Sequence, residues 1–166
     1  MDTINVFLTY PHTNSQSKFS VSMKALHERI SGLSGVVLLD SWRQISGQLG
    51  VSLSEAYSRD MANVNKADLV VAIYENSVGS IDDVVMEIVR RCEVRKPIRI
   101  FVSHKGAVSP IIEACIAYNK VQKVGPFDVR ADEIPNPTRY FHVNGIFELV
   151  AEWVNKKNLI SGENPG

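Results

Sequence analysis

Ala67-Asp68-Leu69-Val70-Val71-Ala72-Ile73 is the stretch on which the fold turns, because from Leu69 to Ile73 it carries no polar side chain. A strand with one wet face alternates apolar and polar residues; a continuous apolar run is what a strand covered on both faces looks like. Outward from it, the nearly continuous runs Ile4 to Thr9, Val36 to Leu39 and Ile98 to Val102 repeat the pattern, all rich in β-branched residues. The intervening segments have helical period instead: Phe19, Met23, Leu26 and Ile30 form one stripe, and Ile81, Val85, Ile88 and Cys92 another.

Parallel neighbours need crossover connections, so strand, helix, strand, helix in this order predicts an α/β chain. The expected architecture is a flavodoxin-like or Rossmann-like doubly wound sandwich around a central, mainly parallel five-stranded sheet. After Val102 the pattern loosens. Residues 108 to 120 read as helical. Residues 123 to 140 contain three prolines and read as loop with one short strand, and 144 to 157 close with a helix carrying Ile146, Leu149, Val150 and Trp153. Gly and Pro are frequent from Ile160 to Gly166, so the expectation is one domain over residues 1–159 and a disordered tail over 160–166.

The 166 residues are 45% hydrophobic, enough for a real core in a single domain. Lys plus Arg and Asp plus Glu balance at 18 each, so no basic field favours a nucleic-acid polymer; a nucleotide-sized anion needs only a local site. Cys92 and Cys115 stand singly in apolar helical stretches, which fits a reduced, cytoplasmic setting. No apolar run approaches the roughly 20 residues of a membrane span, and no basic stretch leads into an apolar leader. His12, His27, His104 and His142 lack metal-ligand spacing, so neither a metal nor another cofactor is assigned. No serine sits in a Gly-x-Ser-x-Gly elbow, which removes the argument for a serine triad.

In open sheets of this class, ligands bind outside the carboxyl ends of the strands. That selects Thr9 to Ser15, Asp40 to Gly47, Tyr74 to Asp83 and Ser103 to Val108. Behind this rim, a helix from about 52 to 66 has an apolar face of Leu53, Tyr57, Met61 and Val64, and a turn of about 100° per residue puts Asp60 at its edge. An unpaired carboxylate buried there would cost on the order of a few kcal/mol, so Asp60 serves either a structural ion pair or cap, or a site.

Ser80 with Asp83 resembles a capping box and starts the next helix near Ser80, which places Glu87 in the second turn, on the flank of the apolar stripe. Glu87 reads either as an exposed pair with Arg91 or as a catalytic group. The loop Tyr10-Pro11-His12-Thr13-Asn14-Ser15-Gln16 precedes a helix and is rich in small donors, suited to a phosphate or to ordinary capping. Arg43, beyond the second strand, either pairs with an anionic ligand or is solvated.

Together these segments resemble the nucleoside 2-deoxyribosyltransferase superfamily, including its hydrolase branch, which acts on nucleoside 5′-monophosphates. The resemblance rests on Val6-Phe7-Leu8-Thr9, on Arg59-Asp60 followed by Ala67 to Ala72, on Ser77 to Glu87, and on Lys96-Pro97-Ile98; it covers roughly residues 4 to 102. It implies an N-glycosidase or deoxyribosyltransferase in which Glu87 attacks or stabilises the anomeric carbon and Asp60 contacts the sugar or assists the leaving base. The implied substrate-binding set is Phe7, Tyr10, His12, Thr13, Asn14, Arg43, Ser77 and Ser80. Implied partners are a small nucleotide or nucleoside and a second copy of the chain in a homodimer or larger assembly.

Many members carry Tyr where Phe7 stands, and the hydrolase branch tolerates Phe there. Asp82 and Asp83 replace the glycines usual before the catalytic Glu, and two carboxylates at that point would repel a phosphate and raise the pKa of Glu87. Val6 to Tyr10, the Asp40 strand end and Ser80 to Glu87 are also similar to Toll/interleukin receptor domains, which implies NAD cleavage or an assembly role; a non-catalytic nucleotide-binding protein is the third alternative. Asp60 on an apolar helix face is expected of the first resemblance and unexplained by the second.

Overall fold

The computed structural model describes residues 3–11, 18–39, 52–74, 82–93, 98–103, 109–114, 137–140 and 143–163. In chain order the elements are β1 (Ile4–Thr9), α1 (Lys18–Ser31), β2 (Val36–Leu39), α2 (Leu53–Lys66), β3 (Leu69–Tyr74), α3 (Asp82–Glu93), β4 (Ile98–Ser103), β5 (Pro137–Tyr140) and α4 (Val143–Glu163). The sheet order is β2-β1-β3-β4-β5, and each neighbouring pair is parallel. The chain thus steps one way from β1 to β2 and the other way from β3 onward, the doubly wound arrangement, with its switch point between β1 and β3.

The continuous apolar runs are explained by two cores, one on each face of the sheet. Val6, Leu8, Leu69, Val71, Ile73 and Phe101 point to one side and pack with Met23, Leu26 and Ile30 of α1 and Ile146, Val150, Trp153 and Val154 of α4. Phe7, Val70, Ala72, Tyr74, Ile98 and Ile100 point to the other and pack with Val64 of α2 and Val84, Ile88 and Cys92 of α3. Successive residues of a strand go to opposite faces, so each run is apolar toward both; Asn5 and Arg99, the polar residues inside β1 and β4, are only half-buried.

Local signals set the element ends. The Oγ of Ser52 accepts the Glu55 N–H at 3.2 Å and caps α2, while Ala67 leaves the helix in an extended conformation and turns directly into β3. Gly35, at φ 77°, makes the left-handed turn from α1 into β2, and its carbonyl accepts the Ile4 N–H at 2.7 Å. Pro137 opens β5 at the sheet edge, where a residue without an N–H is tolerated. The Arg29 guanidinium lies 4.0 Å over the Phe147 ring and joins α1 to α4.

Three expectations are corrected. Tyr57 is 51% exposed, and the buried stripe of α2 is Ala56, Asp60, Val64 and, just past its end, Ala67, so Asp60 is central to the buried face and not at its edge. On α3, Glu87 and Arg91 are buried with Val84, Ile88 and Cys92, a wider arc than the predicted stripe. The closing helix runs from Val143 to Glu163, past the expected helix end at 157.

Candidate active site

Two helices build the candidate site. Both α2 and α3 follow a strand and precede the next parallel one, so both run from the carboxyl rim of the sheet toward its amino edge, side by side. Each carries a carboxylate near its middle on the sheet-facing side: Asp60 is 3% exposed and Glu87 1% exposed.

Their relative height follows from hydrogen bonds between the helices. Arg91 Nη1 donates to the carbonyl oxygen of Val64 at 2.6 Å, and Arg90 Nε donates to Asn65 Oδ1 at 3.2 Å. Asp60 lies four residues before Val64 and Glu87 four before Arg91. In an α-helix four residues are about one turn, roughly 6 Å, so Asp60 lies one turn above Val64 and Glu87 one turn above Arg91, each toward the carboxyl rim.

Arg91 is 0% exposed. Burial pulls its guanidinium down to about 10, opposed by the charges of Asp68 and Cys92, and it stays cationic at neutral pH. Glu87 and Arg91 therefore cannot be the exposed surface pair that the i,i+4 spacing permits; both belong to the interior. Glu87 Oε2 is buried and accepts no hydrogen bond, while the residue makes other interactions. A buried carboxylate in apolar surroundings can stabilise or attack a positive centre.

Phe7 lies on this same side of the sheet, fully buried in the α2/α3 core. Tyr10, just past the end of β1, goes to the other: its ring meets Phe19 edge-on, 6.5 Å between centroids at 72°, against the α1/α4 core. His12, Thr13, Asn14, Arg43, Ser77 and Ser80 lie outside the described residues, as do the side chains of Asp82 and Asp83 and hence the proposed capping box. At the rim, the Tyr74 hydroxyl accepts the Ser109 N–H at 3.3 Å and joins the end of β3 to the segment after β4. Among the described residues no group of three His, Cys, Asp or Glu is placed to hold a metal ion, and no helix is long and apolar enough to cross a membrane.

Two residues to which the sequence reading gave no part in the site, Arg91 being named only as a surface partner of Glu87, lie close to it. Arg91 was signalled by spacing: Val84, Ile88 and Arg91 stand four and three apart, the period of a buried stripe. Asp68 shares two hydrogen bonds with Asn5 across the sheet and lies close enough to Arg91 to raise its pKa. It stands in the Ala-Asp-Leu-Val-Val-Ala run that carried the resemblance, where no period singles it out.

No family model and no curated protein sequence matches the chain. Among solved structures, the CMP N-glycosidase BcmB of Clostridium botulinum aligns over 90% of this chain and 98% of its own, with a TM-score of 0.61 at 13% identity. A 2-deoxyribosyltransferase from the psychrotolerant bacterium Bacillus psychrosaccharolyticus aligns over 81% of this chain and 98% of its own, with a TM-score of 0.49 at 14% identity. The chain has the fold of BcmB, a doubly wound parallel sheet with helices on both faces, as its resemblance to the nucleoside 2-deoxyribosyltransferase superfamily implies.

Proposed function

We propose that the chain is an N-glycosidase of that superfamily, cleaving the base–sugar bond of a nucleoside 5′-monophosphate or nucleoside, by hydrolysis or by deoxyribosyl transfer. The observation that carries this reading is the pair Asp60 and Glu87, both interior, on adjacent helices tied by the Arg91–Val64 hydrogen bond. The fold shared with a CMP N-glycosidase supports it.

The chemistry suits two carboxylates. Breaking an N-glycosidic bond passes through an oxocarbenium-like state, and a carboxylate at the anomeric carbon stabilises the charge that develops there. In this reading a Glu87 oxygen forms a bond to the anomeric carbon as the carbon–nitrogen bond breaks, and its electron pair leaves with the base. Asp60 binds the sugar or assists protonation of the base. Water, or the nitrogen of a second base, then displaces Glu87 from the sugar ester.

The residues assigned to substrate are Phe7, Tyr10, His12, Thr13, Asn14, Arg43, Ser77 and Ser80. Assembly as a homodimer or larger homo-oligomer and a cytoplasmic location belong to the same proposal.

The test is chromatographic detection of free base after incubation with ribo- and deoxyribonucleoside monophosphates, their nucleosides and NAD, with Glu87→Gln and Asp60→Asn in parallel. Base released from a monophosphate or nucleoside, lost in Glu87→Gln and slowed in Asp60→Asn, supports the reading. Release from NAD alone favours the Toll/interleukin-receptor-like alternative, and no release from any member of the panel overturns the glycosidase.

A further inference from the structure

A fully buried arginine is rare in a chain of this size, because taking a guanidinium out of water is costly even when it is paired. Arg91 is the largest of the fully buried side chains among the described residues. If the position served packing alone, an apolar side chain of similar length would do as well without the desolvation cost. An arginine adds two things that methionine lacks: a directional donor and a charge.

The donor is spent on the main chain of the neighbouring helix, at Val64 O. A hydrogen bond to a backbone carbonyl fixes how far α2 has slid along α3, which apolar contacts alone do not. The charge lies on the same helix as Glu87, one turn away, where residues four apart are neighbours. Among the described residues the following groups, with the apolar side chains of α2 and α3, lie on this side. Asp60 comes from α2, Phe7 from β1, Val70, Ala72 and Tyr74 from β3, Ile98 and Ile100 from β4, and Cys92 from α3 itself, with Asp68 at the foot of β3.

We propose that Arg91 is a positioning residue for the Asp60–Glu87 pair: its guanidinium sets the register of α2 on α3 through Val64 and places a fixed positive charge beside Glu87. Burial in an apolar interior drives a carboxyl toward its neutral form, and a cation four residues along the same helix lets Glu87 stay ionised there. The charge of Asp68, itself hydrogen-bonded to Asn5, acts on the same guanidinium. The kinetic consequence rests on the N-glycosidase reading; the electrostatic one does not.

The experiment is carbon-13 NMR titration of the side-chain carboxyls in the full-length chain, with Glu87 and Asp60 assigned from Glu87→Gln and Asp60→Asn. Wild type is compared with Arg91→Lys and Arg91→Met. The titration midpoint of Glu87 should rise by about one pH unit or more in Arg91→Met and stay within roughly half a unit of wild type in Arg91→Lys. A folded Arg91→Met with an unchanged Glu87 midpoint overturns the proposal. Should Arg91→Met not fold, Arg91→Gln, which keeps a donor and removes the charge, replaces it with the same expectation and the same overturning result.

Turnover is the second arm. Where wild type releases base, Arg91→Met should lower kcat by roughly 10- to 100-fold with KM nearly unchanged, and Arg91→Lys should recover most of the loss; equal kcat in all three overturns the proposal. Where wild type releases no base, the glycosidase reading fails and the titration still decides Arg91.

Discussion

Asn5 and Asp68 exchange two hydrogen bonds across the sheet: the Asn5 N–H donates to Asp68 Oδ2 at 2.7 Å, and the Asp68 N–H donates to the Asn5 carbonyl at 2.7 Å. The first joins main chain to side chain and the second closes the ladder, so the start of β3 is pinned to β1 at the switch point. Asp68→Ala leaves the Asn5 N–H without its carboxylate and should destabilise the fold by about 1–3 kcal/mol. Asp68→Asn keeps an acceptor and should cost less. Urea unfolding midpoints of the two variants check this; equal midpoints for Asp68→Ala and wild type would discard the clamp.

Glu87 is an interior residue, so its substitutions should separate chemistry from stability. Glu87→Gln preserves shape and should reduce base release by roughly a thousandfold or more with little change in melting temperature. Glu87→Ala opens space beside Val84 and Ile88 and should lower stability by about 1–3 kcal/mol besides. Differential scanning calorimetry of both proteins, alongside the base-release assay, distinguishes the two effects.

Arg91 gives the stability curve a feature at high pH. Its pKa is pulled from the ordinary guanidinium range down to about 10 in the folded chain, with burial the largest cause. Between about 10 and that range the unfolded state binds more protons, so this group's contribution to stability rises with pH there; below about 10 the cost of burying the charge is fully present. The stability of wild type relative to Arg91→Met should accordingly increase as pH is taken from about 9 to about 11, a difference read by urea unfolding at each pH. A flat or falling difference would contradict the assigned burial.

Gly35 adopts φ 77°, the left-handed region where a side chain is strained. Gly35→Ala should cost about 1–2 kcal/mol, and Gly35→Asn less, with the slope of the urea transition unchanged. A loss of less than a few tenths in Gly35→Ala would mean that the turn relaxes.

The sequence displayed most of the fold because strands covered on both faces must be largely apolar, and the run from Leu69 to Ile73 is so without a break. The α1 stripe was equally legible: Met23, Leu26 and Ile30 are buried as their spacing requires. Strand order was not, since β2 lies beside β1 through contacts that no local period records. The site was half legible. Asp60 and Glu87 stood out by residue type, but their depth did not, because a charged residue is ordinarily read as the outer side of a helix. Here Val84, Glu87, Ile88, Arg91 and Cys92 form one buried arc, and the charges are within it. Tyr57 misled in the opposite sense: it has the spacing of a core residue and faces outward.

The sheet divides the protein into two mutational territories. Leu8, Ile30 and Val71 lie in the apolar core beneath α1 and α4, so a library built at those positions should trade thermal tolerance alone and leave turnover per folded molecule constant. Substitutions beneath α2 and α3 disturb the seating of two carboxylates and a guanidinium, and there a variant can remain fully folded and still be inert. In a deep scan scored separately for abundance and for base release, the two scores should agree on one face of the sheet and part company on the other.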